Sequence, residues 1–325
     1  MDEIMRLFPN DMGQAIQFKV QNRWQMLQEI RVRLNRPIEL IFDDTTEWVK
    51  NLIPQTKEAT FLINQLSQFS LYRLEDELRE GYITIEGGHR IGIAGKVTTT
   101  GSSVKAIQNI TFFNIRIAKE KPGVALPIIP YIYNGDYFNT LIIGPPQTGK
   151  TTLIRDLTRL ISNGSKQTNP KKVGVVDERS EIGASIKGIP QHNLGLRTDV
   201  MDACPKADGM MMLVRSMSPD VMVVDEIGNQ QDIDALMEAV NTGVTVICSI
   251  HGRSISELKR RPSLEPIFNQ HIFDRYIVLK RDTSPGRISL VLDHNENNLL
   301  QKTRGVTNEV DWSTAFNRNS HLGRI

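Results

Sequence analysis

The chain has 325 residues, of which 39% are hydrophobic and 23% charged, too long for one small domain and too apolar for a disordered chain. Its 39 Lys and Arg nearly cancel its 37 Asp and Glu, leaving a formal charge of +2. That balance disfavours a phosphate-coating surface, and no nucleic-acid partner is expected. Two cysteines, Cys204 and Cys248, cannot build a disulfide framework and suit reduced thiols in the cytoplasm. Met1 to Asn10 carries Asp2, Glu3 and Arg6 and lacks an apolar run of signal-peptide length. The longest weakly charged stretch, Val124 to Gly144, is broken by Pro127, Pro130, Gly135 and Asp136, so a spanning helix is not expected.

In chain order, Ile16 to Leu34 reads as a helix passing into a strand: Ile16, Val20, Trp24 and Leu27 recur at helical spacing, then Ile30, Val32 and Leu34 alternate with Arg31 and Arg33. Asn35-Arg36-Pro37 is turn chemistry before a second strand, Ile38 to Phe42. Thr60 to Leu78 reads as a helix stopped by Gly81. Tyr82 to Val97 reads as a hairpin turning at Gly87-Gly88, and Thr111 to Ala118 as a further strand. Lys119 to Gly123 is the linker candidate. These elements form a small α+β domain over residues 1–120.

From there short apolar strands alternate with helices, the pattern of a parallel sheet covered on both faces. The strands are Asn139 to Ile143, Lys172 to Asp177, Val221 to Asp225 and Thr245 to Ser249, with helices at Thr151 to Ser162 and Asp232 to Asn241. Tyr276 to Lys280 and Arg287 to Leu292 read as a closing antiparallel hairpin at the sheet edge. Residues 121–294 make the second domain, and 295–325 read as a polar, mobile tail. Met210 to Met212 read as flexible fillers of core gaps, with a docking surface as the alternative.

Gly144-Pro145-Pro146-Gln147-Thr148-Gly149-Lys150-Thr151 fits the phosphate-loop pattern and lies between a strand and an amphipathic helix. Backbone N–H groups at such a helix N-terminus face the phosphates, Lys150 adds a point charge and Thr151 a hydroxyl for Mg²⁺. With Thr152, these residues are the candidate ATP contacts. Val221 to Asp225 then delivers Asp225 to the metal and Glu226 to the attacking water. A second strand ends at Asp177-Glu178-Arg179, whose acids polarise water or hold metal, or form a structural ion pair with Arg179. His251, just past the strand Thr245 to Ser249, is a packing residue or a γ-phosphate sensor. The expected fold class is α/β: a P-loop NTPase (RecA/AAA-like) parallel sheet with a smaller α+β N-terminal domain. An ATPase, a small-molecule kinase and a nucleotide-binding scaffold with little turnover all fit that loop.

The phosphate loop, the Asp177-Glu178 strand end, the Arg215 to Asp220 lead into Val221 to Glu226 and the Ser249-Ile250-His251 end follow the block order of the secretion and pilus-motor ATPases, which the chain resembles. More closely, Glu29 to Pro37, Gly87 to Gly92, Gly144 to Thr151, Arg197 to Val200 and Met210 to Pro219 resemble the stage III sporulation protein AA family. The resemblance implies a cytoplasmic ATPase, a homo-oligomer in a ring of six, peripheral to a membrane-embedded channel between mother cell and forespore. It implies that Arg90 and Arg116 complete a neighbour's site; an ordinary strand-surface role is the alternative. The catalytic candidates are Glu226, Glu178 and His251, with Asp177 and Glu178 standing as alternatives for the acid that acts at their strand end. One departure stands out: secretion motors show Glu-Asp-Pro where this chain has Asp177-Glu178-Arg179.

Overall fold

The computed structural model describes residues 2–67, 81–100, 103–281 and 286–300. It forms two compact units, Met1–Lys119 and Glu120–Ile325.

The first unit carries α1 (Asp2–Met5), α2 (Asn10–Val20), β1 (Leu27–Arg33), β2 (Ile38–Phe42), β3 (Thr46–Val49), α3 (Thr56–Ser67), β4 (Tyr82–Ile85), β5 (His89–Thr100) and β6 (Ser103–Arg116). The strands form one antiparallel sheet in the order β3-β2-β1-β6-β5-β4. On β1, Ile30 and Val32 point into the core, while the alternate positions Arg31 and Arg33 pair with Glu29 and Glu39 at 2.7 and 2.6 Å. A register shift between Leu27 and Glu29 lets Leu27 and Ile30 share the buried face despite their spacing. Met12, Ile16 and Val20 of α2 and Leu62 of α3 cover that face, each contributing about 1.5–3 kcal/mol through burial.

Four outcomes differ from the sequence reading of this unit. The helix read through Trp24 and Leu27 ends at Val20, with Trp24 in a turn and Leu27 opening β1, because the strand pairing of Leu27 overrides its helical spacing. The helix expected from Thr60 begins at Thr56, and its expected continuation with Phe69, Leu74 and Leu78 lies outside the described residues. The strand expected from Thr111 begins at Ser103, because β5 and β6 pair as one long hairpin whose backbone bonds need no apolar alternation. The short strand β3 was not expected, since its edge position leaves Thr46 and Trp48 exposed.

The second unit opens with α4 (Ile129–Ile132) and a short ribbon, β7 (Tyr133–Asn134) with β8 (Asp136–Tyr137). There follow β9 (Thr140–Gly144), α5 (Lys150–Asn163), β10 (Val173–Asp177), β11 (Thr198–Asp202), α6 (Lys206–Ser216), β12 (Val221–Glu226), α7 (Gln230–Asn241) and β13 (Thr245–His251). The short helices α8 (Ile255–Leu258) and α9 (Glu265–Asn269) precede β14 (Arg275–Lys280) and β15 (Arg287–Asp293). Its large sheet has the order β11-β10-β12-β13-β9-β14-β15. Every neighbouring pair is parallel except β14 with β15. Along β12 the side chains divide between the faces: Met222 and Val224 join the core under α6 and α7, Val221 and Val223 the core under α5. That two-sided burial produces the unbroken apolar runs in the sequence.

Strand β11 and helix α6 were not anticipated, since Asp199 and Asp202 interrupt the apolar signal of a half-exposed edge strand. The methionine run divides: Met210 is fully buried and Met211 packs on the core, but Met212 is 50% exposed. Three consecutive helical positions span too wide an arc to share one buried face. At the expected tail, residues 295–300 are anchored: the Leu299 N–H donates to Val291 O at 2.7 Å, and Leu299 and Leu300 pack on the core. Residues 301–325 lie outside the described residues. Among the described residues, no helix is long and apolar enough to cross a membrane.

Candidate nucleotide-binding site

Three strand ends meet at the phosphate loop. Gly149 takes the left-handed conformation (φ 86°) as N-cap of α5, and Gln147 does likewise (φ 62°). Gly144 admits no side chain, for a Cβ there would lie 2.5 Å from Thr148 Oγ1 and 3.2 Å from Leu279 Cβ. Thr148, fully buried, donates to Pro145 O at 2.7 Å and closes the loop on itself. Pro146 and Gln147 are exposed, while Thr151 and Thr152 are half-buried on the first turn of α5. Together they line a turn whose free N–H groups suit an anion.

Lys150 is buried, and its ammonium donates to Gly144 O at 2.9 Å, Pro145 O at 3.2 Å and His251 Nδ1 at 3.0 Å. Sheet register makes the last contact possible, because His251 of β13 stands opposite Gly144 of β9. An ammonium only donates, so Nδ1 accepts and the ring proton sits on Nε2, which lies 2.6 Å from Glu226 Oε2. Lys150, His251 and Glu226 thus form one continuous chain. Burial lowers the Lys150 pKa, against the opposing pull of Glu226, Asp225 and Glu181.

Asp225 lies where the β12–β13 register shifts between Val224 and Glu226, a bulge that turns the strand end toward the site. It is buried, and burial first, then the charges of Asp177, Glu181 and Glu226, push its pKa up to about 7. Such a carboxylate is suited to receive a cation. Among the described residues, no group of three or more His, Cys, Asp and Glu is arranged to hold a metal. The hard oxygen donors of Asp225 and Thr151 suit Mg²⁺, an ion that keeps waters and takes phosphate oxygens as ligands.

The β10 end behaves differently from Asp225. Asp177 is fully buried and accepts the N–H groups of Glu181, Ile182 and Gly183 at 2.7, 2.9 and 2.8 Å; burial nevertheless raises its pKa. It is a loop anchor. Glu178 is ion-paired with Lys206 at the start of α6. Glu181, four residues beyond the strand end, is half-buried, and its N–H is one of the three that Asp177 holds. Arg90 and Arg116 belong to the first unit, on facing positions of β5 and β6, with the Arg90 guanidinium 4.6 Å from the Tyr82 ring centre.

A parallel sheet with a phosphate loop, a strand-end carboxylate pair and a histidine on the neighbouring strand end defines a P-loop fold of the secretion-ATPase type. Two solved structures share it. The Legionella pneumophila ATPase DotB is 16% identical with a TM-score of 0.56, over 84% of this chain and 76% of that one. The pilus retraction motor PilT is 14% identical with a TM-score of 0.57, over 82% and 77%. The family model described as sporulation stage III, protein AA, matches residues 1–299, and the chain belongs to that family. The stage III sporulation protein AA of Bacillus subtilis is 50% identical over 306 residues, 94% of this chain and 99% of the relative.

Proposed function

We propose that the chain binds ATP with Mg²⁺ and hydrolyses it as an assembly motor of sporulation. The observation that carries this reading is the Lys150–His251–Glu226 chain, which ties the lysine of the phosphate loop to Glu226, the carboxylate read as the base for the attacking water. Gly144 to Thr152 would hold the phosphates, with Thr151 and Asp225 toward the metal. Bound Mg²⁺ would neutralise phosphate charge as it develops. Lys150 would exchange His251 Nδ1 for a phosphate oxygen, and that exchange frees the imidazole to turn. Glu226, held by the Nε2 proton until then, would orient the water. His251 therefore reports to Glu226 whether the γ-phosphate is present.

The ring of six, the cytoplasmic location beside a membrane-embedded channel and the arginines Arg90 and Arg116 offered to a neighbouring copy belong to the same proposal. They rest on the family membership and on the fold shared with secretion ATPases.

Phosphate release and binding of a fluorescent ATP analogue, measured together, test it. Lys150→Ala should lose binding, whereas Glu226→Gln should bind as wild type does and release phosphate at least about 100-fold more slowly. Wild-type release by Glu226→Gln would sink the assignment. Transfer of the phosphate to an added hydroxyl acceptor would favour a kinase, and binding with no release under any condition a scaffold.

A further inference from the structure

Two turns interlock at the end of the large sheet where β10, β11 and β12 begin. Those strands run parallel to β9, which finishes in the phosphate loop, so this end of the sheet lies opposite the candidate nucleotide site. In the first turn Gly164 is left-handed (φ 70°), and a Cβ there would lie 2.7 Å from Pro170 N. In the second Gly195 is left-handed (φ 94°), and a Cβ there would lie 2.5 Å from Ser162 Cβ. The Leu196 N–H donates to Asn163 Oδ1 at 2.9 Å, the Arg197 N–H to Ser162 Oγ at 2.7 Å, and Arg197 Nη1 to Pro170 O at 3.1 Å. Held among these bonds, the Leu196 side chain is 95% exposed. Single apolar side chains are ordinary on a protein surface, but a leucine on a loose loop can fold back on its neighbours. This one is kept out in water by a backbone fixed at its own N–H and at the next.

Basic residues surround it. Lys166 lies in the first turn, Lys171 and Lys172 lead into β10, Arg197 precedes β11, and Arg215 stands in the last turn of α6; all but Lys171 are exposed. Lys172 Nζ donates to Ser218 O at 2.6 Å, which sets Met217, 46% exposed, at the same end. Asp136 and Asp220 pair with Lys171 and Lys172, and Asp199 is exposed on β11, so the cations outnumber the acids beside them.

We infer that this end of the second unit docks on an anionic lipid bilayer, with Leu196 entering the headgroup layer and the lysines and arginines meeting the lipid phosphates. A protruding leucine needs a surface that closes around it, and a bilayer does so without a preformed pocket. The surface charge of anionic lipid attracts the cations, whose long stems keep the charge at headgroup level while the leucine goes deeper. A protein partner is the weaker match, because leucine is under-represented among the residues that dominate protein contacts. Docked in this way, the chain turns its phosphate loop away from the bilayer. The inference does not depend on the nucleotide reading.

Co-sedimentation of the full chain with vesicles tests it, using phosphatidylcholine alone and an equal mixture of phosphatidylcholine and phosphatidylglycerol. The wild type should bind the mixed vesicles in preference and release them as salt is raised. Leu196→Ser should weaken that binding about tenfold and Lys166→Gln about fivefold, with both variants folded because both side chains are exposed. Phe18→Ser, which removes a 78% exposed side chain from the first unit, should bind as wild type does. A wild type that ignores the mixed vesicles, or binds both kinds equally, overturns the inference. Undiminished binding by Leu196→Ser or by Lys166→Gln does so as well. Soluble polyglutamate bound as tightly as the vesicles, and equally by Leu196→Ser, would overturn it in favour of an acidic protein partner.

Discussion

His89 is 3% exposed, its Nδ1 accepting the Ala118 N–H at 2.9 Å and its Nε2 lying 3.1 Å from Glu3 Oε1. The neutral ring satisfies both partners, whereas a second proton on Nδ1 would confront the Ala118 N–H. Burial accordingly holds the His89 pKa below its ordinary value of 6.5. The unfolded chain then binds the more protons between pH 6.5 and the lower folded value, so stability rises with pH through that window and is lost as pH falls. Urea unfolding followed by tryptophan fluorescence should give a midpoint that falls from pH 7 to pH 5. In His89→Asn the slope should flatten, at a cost of roughly 1–3 kcal/mol at pH 7 for the unpaired groups. An unchanged slope would show that other groups carry it. Of this arrangement only the residue type was legible, since Glu3 and His89 are 86 positions apart.

At the scale of elements, α5 does three jobs. It caps the phosphate loop, holds the Glu181 loop through Arg155, and anchors the start of its unit through Asp156. That buried carboxylate accepts the N–H groups of Gly123 and Ala125 at 2.9 and 2.8 Å and pairs with Arg159 at 2.5 Å. Asp156→Ala should cost about 2–4 kcal/mol, because the buried Ala125 donor and the half-buried Gly123 donor lose their acceptor. Hydrogen exchange should locate that loss, with faster exchange of the Gly123 and Ala125 amides; protection equal to wild type would mean that water replaces the carboxylate. The amphipathic pattern of α5 was plain in Leu153, Ile154, Leu157 and Ile161. Its polar duties were not, since hydrophobic periodicity says which face is buried and nothing about what a buried acid binds. For a related reason α6 and β11 escaped notice: their half-exposed faces carry charge, and an edge strand is defined by its neighbour rather than by its own alternation.

For the molecule as a whole, the proposed arginines give the assembly a measurable signature. If Arg90 completes a neighbour's site, phosphate release per chain should rise with protein concentration in the wild type. Arg90→Ala should then cut release by about 10³-fold or more at saturating concentration, with the fluorescent-nucleotide affinity kept. Activity that is flat with concentration and insensitive to Arg90→Ala would rule out an arginine supplied between copies. The Arg90 ring contact with Tyr82 makes Arg90→Lys informative as well: it keeps the charge but not the planar group, so partial recovery would separate charge from geometry.

Short-range chemistry was readable before any folding was known. A glycine-rich turn followed by Lys150 and Thr151 requires a strand before it and a helix after it, and four apolar residues running into Asp225-Glu226 require a strand buried on both faces. These are constraints between residues close along the chain, so they can be read in order. What the tertiary structure decided is who meets whom across that sheet. The β9–β13 register sets His251 against Gly144, and hence its ring between Lys150 and Glu226. The turn after β10 buries Asp177 as an anchor and leaves Glu178 to Lys206. Pairing and burial come from contacts between residues far apart along the chain, 101 positions for Lys150 and His251, and no local pattern encodes which of several nearby acids they will turn inward.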